Sequence, residues 1–216
     1  MKFFYALILS AFAALPARAE VDIQPVTSPG GIDAWLVEEH SIPFVALEIR
    51  FRGGASLDAP GKRGAINLMT GLLEEGAGDM DARAFSRETE ALATNLSFDV
   101  SDDSLSVSAR FLTENREASI ELLRAALLEP RFDEDAVERV RGQVISNIQS
   151  NQKDPNDIAR QTFDKIAFGD HPYGSSLNGT LETVAGLTRD DLIEAHSAVL
   201  ARDRIYVGAV GDITPE

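Results

Sequence analysis

Apolar and polar residues alternate strictly from Phe44 to Arg52. Val45, Leu47, Ile49 and Phe51 fall on one side, and Phe44, Ala46, Glu48, Arg50 and Arg52 on the other. A period of two marks a strand with one buried face. Ile32 to Glu38 is also rich in strand formers, and His40-Ser41-Ile42-Pro43 breaks it, so the pattern predicts two adjacent strands in an antiparallel pair. Leu105, Val107, Ala109 and Phe111 alternate with Ser106, Ser108 and Arg110. With residues 96–100 they predict a second pair around the Ser101–Ser104 turn, one face buried and one wet. Residues 205–210 are a last apolar strand, ended by Gly211-Asp212. Between these segments the period lengthens to that of a helix. Residues 62–75 carry Ala65, Leu68, Met69, Leu72 and Leu73 on one face, and Gly76-Ala77-Gly78 stops them. Further helices are expected from Asp81 to about 94, from a Thr113 cap to about 129, from Asp133 to about 150, and after Asp154-Pro155 to about 167. Two short ones follow at 180–186 and 188–200, the second capped by Thr188. Strands and helices come in runs, which predicts an α+β fold: a mainly antiparallel sheet with helices packed on one face.

The chain has 216 residues, 44% of them hydrophobic, enough for a sizeable core. The formal net charge is −15, which argues against nucleic acid or an anionic membrane surface as a partner. There is no cysteine, so disulfides, thiol catalysis and cysteine-ligated zinc are excluded. Any metal would rest on His, Asp or Glu, and the histidines are His40, His171 and His196. Lys2, the apolar run from Phe3 to Leu15, and Ala17-Arg18-Ala19 read as a secretory signal over residues 1–19. A Pro-, Ser- and Gly-rich leader follows over 20–30, then a domain over 31–216. Export, to the periplasm in a bacterium, is the expected address, with no membrane association once the signal is cleaved. The end straight after the last strand suggests that a further domain follows.

Several phrases recur in a familiar order: Phe51-Arg52-Gly53-Gly54-Ala55, Pro60-Gly61-Lys62-Arg63-Gly64, Phe132-Asp133, His171-Pro172-Tyr173-Gly174, and Val207 to Asp212. Their order and spacing resemble the N-terminal domain of the M16 (pitrilysin/insulinase-like) peptidases over roughly residues 30 to 214. The resemblance implies the family's metallohydrolase-type fold, seen also in mitochondrial processing peptidases. It also implies an inverted zinc motif, H-x-x-E-H, on the helix after the P-G-x-x-G turn. Histidines at i and i+4 reach one Zn²⁺ from one helix face. The Glu between them serves as base for a metal-bound water, and a Glu about 75 residues further on is the third ligand.

Aligned on Gly64, this chain puts Asn67 at the first histidine, Thr70 at the catalytic glutamate, Gly71 at the second histidine and Asn147 at the third ligand. A neutral amide is a poor zinc ligand and glycine offers none. No H-x-x-E-H or H-E-x-x-H occurs anywhere in the sequence. Metal and catalytic residues are therefore expected to be absent, with zinc only in an active partner. Glu74 and Glu75 read as a solvated helix end, His171 as a turn residue, His40 as water-facing, and His196 as a helix residue without triad partners. Gly53-Gly54 is a turn that could also let a peptide approach a sheet edge. G-x-S-x-G and a complete phosphate loop are both missing. The resemblance implies a non-catalytic subunit that completes a substrate chamber with an active M16 subunit carrying H-x-x-E-H, on a peptide or unfolded-protein substrate. The alternatives are an active zinc endopeptidase and a stand-alone periplasmic peptide-binding module.

Overall fold

The computed structural model describes residues 21–215; the signal reading of residues 1–19 falls outside them. The strands are β1 Gln24–Thr27, β2 Asp33–Glu38, β3 Phe44–Arg52, β4 Gly76–Ala77, β5 Met80–Asp81, β6 Asn95–Val100, β7 Ser104–Leu112 and β8 Ile205–Gly211. The helices are α1 Ala65–Thr70, α2 Ala82–Ala91, α3 Arg116–Leu128, α4 Glu134–Asn151, α5 Pro155–Phe168, α6 Leu181–Ala185 and α7 Arg189–Val199. Six strands form one sheet in the order β1–β2–β8–β3–β7–β6, and β4 with β5 makes a separate small ribbon. All neighbours are antiparallel except β2 and β8, which run parallel. The α+β reading therefore holds.

The expected pairing of β2 with β3 does not. β8 lies between them, so that Ala209 faces Leu36 on one side and Leu47 on the other. This pairing joins segments far apart in sequence, and nothing local announces it. The leader is a second correction: Gln24–Thr27 pairs with Asp33–Leu36 as an edge strand. Pro25 hides it from a strand search, because proline is tolerated only where a ladder N–H is not needed.

One face of the sheet carries the core. Val45 and Phe51 of β3 and Leu105, Val107, Ala109 and Phe111 of β7 are buried against Ile66, Leu68 and Met69 of α1, Leu122 and Leu123 of α3, Val137 and Val140 of α4, and Leu192 and Val199 of α7. The other face is open. It is polar over β3 and β7, with Glu48, Arg50, Ser106 and Arg110. Over β2 and β8 it is apolar, where Trp35 and Tyr206 stack with their centroids 6.4 Å apart.

α1 is shorter than its apolar pattern implies. After Thr70 the chain tightens into i→i−3 bonds, Leu72 N to Met69 O at 3.0 Å and Leu73 N to Thr70 O at 3.3 Å. Gly71 at this point removes helix propensity. α3 also differs, since a 3₁₀ turn over Thr113–Asn115 precedes it and no side chain caps it. The caps expected at Asp81 and Thr188 are present: Asp81 accepts from Ala84 N at 2.7 Å, and Thr188 forms a capping box with Asp191. Asp154 also caps α5, accepting from Asn156 N and Asp157 N.

Candidate functional site

α1 is the helix on which the resemblance places the zinc motif. Its start is held by Asp58, whose Oδ2 accepts from Gly64 N and Oδ1 from Ile66 N, both at 2.9 Å. This distant carboxylate satisfies N–H groups that a helix leaves without intrahelical partners. Ala65, Ile66, Leu68, Met69 and Thr70 are buried, while Asn67 is only partly covered and Gly71 is exposed. Asn67 and Gly71 thus share the outward side, as residues at i and i+4 must.

Thr70 turns inward, and its Oγ1 donates to Ile66 O at 2.7 Å. Its hydroxyl is committed to the helix backbone. At Gly71, an added Cβ would lie 3.1 Å from Val140 Cγ1 of α4. An apolar side chain therefore leans on the spot from which an imidazole would have to extend. Asn147, two turns beyond Val140 on α4, is exposed. The buried residues of that helix are Val140, Val144 and Ile148. The donor set fails the zinc test on chemistry alone: two amides, one internally bonded hydroxyl and a residue without a side chain. Among the described residues, no three His, Asp or Glu side chains gather as a metal cage.

The other sequence candidates scatter. Glu75 accepts a bidentate pair from Arg139 at 2.6 and 2.8 Å. Burial, then Glu75 and Asp99, push the Glu74 carboxyl up. The two glutamates line a groove of ≈310 Å³ with Phe85, Thr89 and Leu96, next to β6. Among the described residues, β6 ends the sheet and pairs only with β7. Gly53 and Gly54 are absorbed by the β6–β7 hairpin: Gly53 N donates to Asp103 O at 2.6 Å, Ala55 N to Ser101 O at 2.8 Å, and Ser56 N to Asp102 O at 2.9 Å. These amides are engaged within the fold, which leaves the turn role.

The three histidines sit apart. His171 Nδ1 accepts from Tyr173 N at 3.2 Å and caps the Pro172–Gly174 turn. His196 Nε2 lies 2.8 Å from Leu127 O and tilts edge-on to Phe132. Burial, partly countered by that bond, pulls its pKa down. His40 is exposed, yet Nδ1 lies 2.7 Å from Asp212 and Nε2 3.2 Å from Glu38. Asp212 is 172 residues away, so sequence gave no sign of this clasp between the end of β2 and the end of β8. The bond to Asp212, then that to Glu38, raises the His40 pKa above its ordinary 6.5. Stabilisation from a raised histidine is complete below the unfolded value and fades as pH rises through the folded one. An NMR titration should therefore place the His40 midpoint above 6.5. The urea midpoint gap between the wild type and His40→Gln should shrink from pH 6 to pH 9. A midpoint at or below the ordinary value would contradict the clasp.

Residues 34–181 match the family described as Insulinase (Peptidase family M16). The chain belongs to that family. It is 27% identical over 212 residues to the non-peptidase homologue YmxG of Helicobacter pylori, an alignment covering 98% of this chain and 49% of that protein. It is 25% identical over 189 residues to the uncharacterized zinc protease ML0855 of Mycobacterium leprae, covering 87% of this chain and 42% of that one. Among solved structures, a peptidase M16 inactive domain from Pseudomonas fluorescens superposes with a TM-score of 0.85 at 23% identity, over 90% of this chain and 47% of that one. The chain thus spans about half the length of the relatives it matches. Its fold is the family's, and Asn67, Thr70, Gly71 and Asn147 stand at the positions to which the resemblance assigns the zinc motif.

Proposed function

We propose that this chain is the non-catalytic subunit of an exported M16 peptidase. It forms part of the wall of a substrate chamber with a separate M16 subunit that carries H-x-x-E-H and holds the zinc. The observation that carries this is α1 itself, whose outward i, i+4 positions are Asn67 and Gly71, with Val140 packed at Gly71. A helix in that state has no base and no ligand for metal-bound water. The fold around it is intact, so the remaining asset is surface. β6 offers a free strand edge beside the Glu74–Phe85 groove, which suits an extended peptide added as a further strand. The names of the relatives divide between a non-peptidase homologue and an uncharacterized zinc protease, and the missing donor set favours the first. The signal-like residues 1–19 support export.

The test has two parts. Metal analysis of the purified chain should give zinc well below one equivalent, and the chain alone should cleave no peptide. Mixed with an H-x-x-E-H subunit from the same organism, it should co-elute and raise that subunit's kcat/KM by about tenfold or more, the scale of about 1.4 kcal/mol in transition-state stabilisation. Stoichiometric zinc or cleavage by the isolated chain would instead support the active endopeptidase reading.

A further inference from the structure

Asn178-Gly179 is the one place in the chain where a glycine follows an asparagine; every other asparagine precedes a residue with a side chain. The pair has a chemistry of its own. The Gly179 amide nitrogen can attack Asn178 Cγ and close a five-membered ring. The N–Cγ bond forms as the Cγ–Nδ2 bond breaks, and ammonia leaves with the proton of the attacking amide. Water then opens this succinimide at either carbonyl. Cutting the N–Cγ bond gives aspartate, and cutting the bond to the backbone carbonyl carbon gives isoaspartate. Nothing is oxidised or reduced. Glycine favours the attack, because no Cβ hinders its nitrogen and its backbone is the least restricted.

The fold withholds what this reaction needs. Gly179 is buried, and its N–H, the nucleophile, donates to Ser176 O at 3.0 Å. Asn178 N is also held, donating to Ser176 Oγ at 3.3 Å. Ring closure has to swing the Asn178–Gly179 peptide unit, and its surroundings oppose that. Asn178 O lies against the start of α1, where a Cβ on Gly64 would come within 2.7 Å of it. Gly179, at φ +77, abuts Arg63 O so closely that an added Cβ would strike it. Arg63 O is itself fixed by Thr183 Oγ1 at 2.8 Å. We propose that Asn178-Gly179 is a latent deamidation site: closed in the native fold, it converts only when residues 176–180 part from the start of α1. Isoaspartate lengthens the main chain by one methylene. At this junction backbone packs on backbone, with no side chain to give way, so the isoaspartyl chain does not restore the contacts with Arg63 and Gly64. Chemistry thereby makes the opening irreversible, and the lifetime of the native chain becomes a matter of rate as well as of equilibrium stability. None of this depends on the partner reading.

The complete natural polypeptide is kept in mildly alkaline buffer, native or in guanidinium chloride. The peptide containing Asn178 is followed by mass spectrometry for the exchange of amide for acid, with isoaspartate separated from aspartate by chromatography. The denatured chain should convert, and the native one at least about tenfold more slowly, in proportion to the fraction of time the junction is open. Hydrogen exchange at Gly179 N measures the same opening, so sub-denaturing guanidinium should speed both processes in step. Arg63→Ala frees Pro172 O and Ser175 O beside this loop. It should raise the native rate severalfold and leave the denatured rate unchanged. Refolding then tests the product. Asn178→Asp carries the new charge on a backbone of normal length and should regain the wild-type urea midpoint, whereas the separated isoaspartyl chain should fall short of it. Equal rates in native and denatured chains overturn the closed site. Deamidation that does not track Gly179 exchange, or a folded Arg63→Ala chain no faster than the wild type, overturns this junction as its gate. Isoaspartyl chain that refolds as well as Asn178→Asp, or failure of Asn178→Asp itself to refold, overturns the backbone argument.

Discussion

Arg63→Ala is expected to lower the unfolding free energy by about 3–5 kcal/mol, the scale of breaking a buried charge network from one side. Only 14% of the Arg63 side chain is exposed, and its partner Asp58 is 3% exposed, 3.5 Å away. The guanidinium donates to Ala55 O at 2.5 Å, to Asp102 Oδ1 at 2.5 Å, to Pro172 O at 3.1 Å and to Ser175 O at 3.0 Å. One side chain therefore ties the start of α1, the β6–β7 hairpin and the 172–175 loop. Removing it strands several carbonyls in a partly dry site, each left short of a partner. It also leaves Asp58, whose carboxyl burial already pushes up, without its cation. Arg63→Lys should recover only part of the loss, because a single ammonium cannot span the fork of contacts. Urea unfolding of both variants measures this. A loss for Arg63→Ala within about 1 kcal/mol, the range of an exposed ion pair, would show that the network contributes little.

Gly54→Ala is expected to be nearly as damaging, at about 3 kcal/mol, from one strained backbone and the displaced hairpin bonds together. Gly54 has φ +41, and a Cβ there would lie 2.2 Å from Ser101 O and 2.5 Å from Ser104 N. Both are backbone atoms of the hairpin, so no side chain can swing aside. The hairpin must retreat, weakening the bonds from Gly53, Ala55 and Ser56. Gly61→Ala is the control. Its φ is +78 with nothing within 4 Å, so it should show the conformational cost alone, about 1–2 kcal/mol. Equal urea midpoints for the two alanine variants would remove close packing as the reason for Gly54.

The helix that carries the candidate site was legible because its apolar residues recur at fixed helical spacing. Asn67, Thr70 and Gly71 could be set against an i, i+3, i+4 pattern from sequence, and α1 is indeed a helix there. What sequence did not give is the packing around it. It showed neither Val140 leaning on Gly71 nor the Thr70 hydroxyl turned to Ile66 O. The clasp of His40 with Asp212 was equally invisible, because the two residues meet only once β8 lies beside β2. The expected helix over 155–167 was correct as an element, yet its periodicity was silent about which side would face the domain.

Sequence by itself determined the strands with alternating sides, the helices with a 3.6-residue period, and the caps at Asp81 and Thr188. All of these depend on neighbours within a few residues, where backbone geometry and side-chain chemistry act directly. Tertiary structure alone decided that β8 inserts between β2 and β3, that the leader supplies β1, and that α5 carries Ile158, Phe163 and Ile166 outward. Those outcomes depend on which distant surfaces meet. An apolar stripe marks one side of a helix, and only the assembled fold shows whether that side meets the domain's own core.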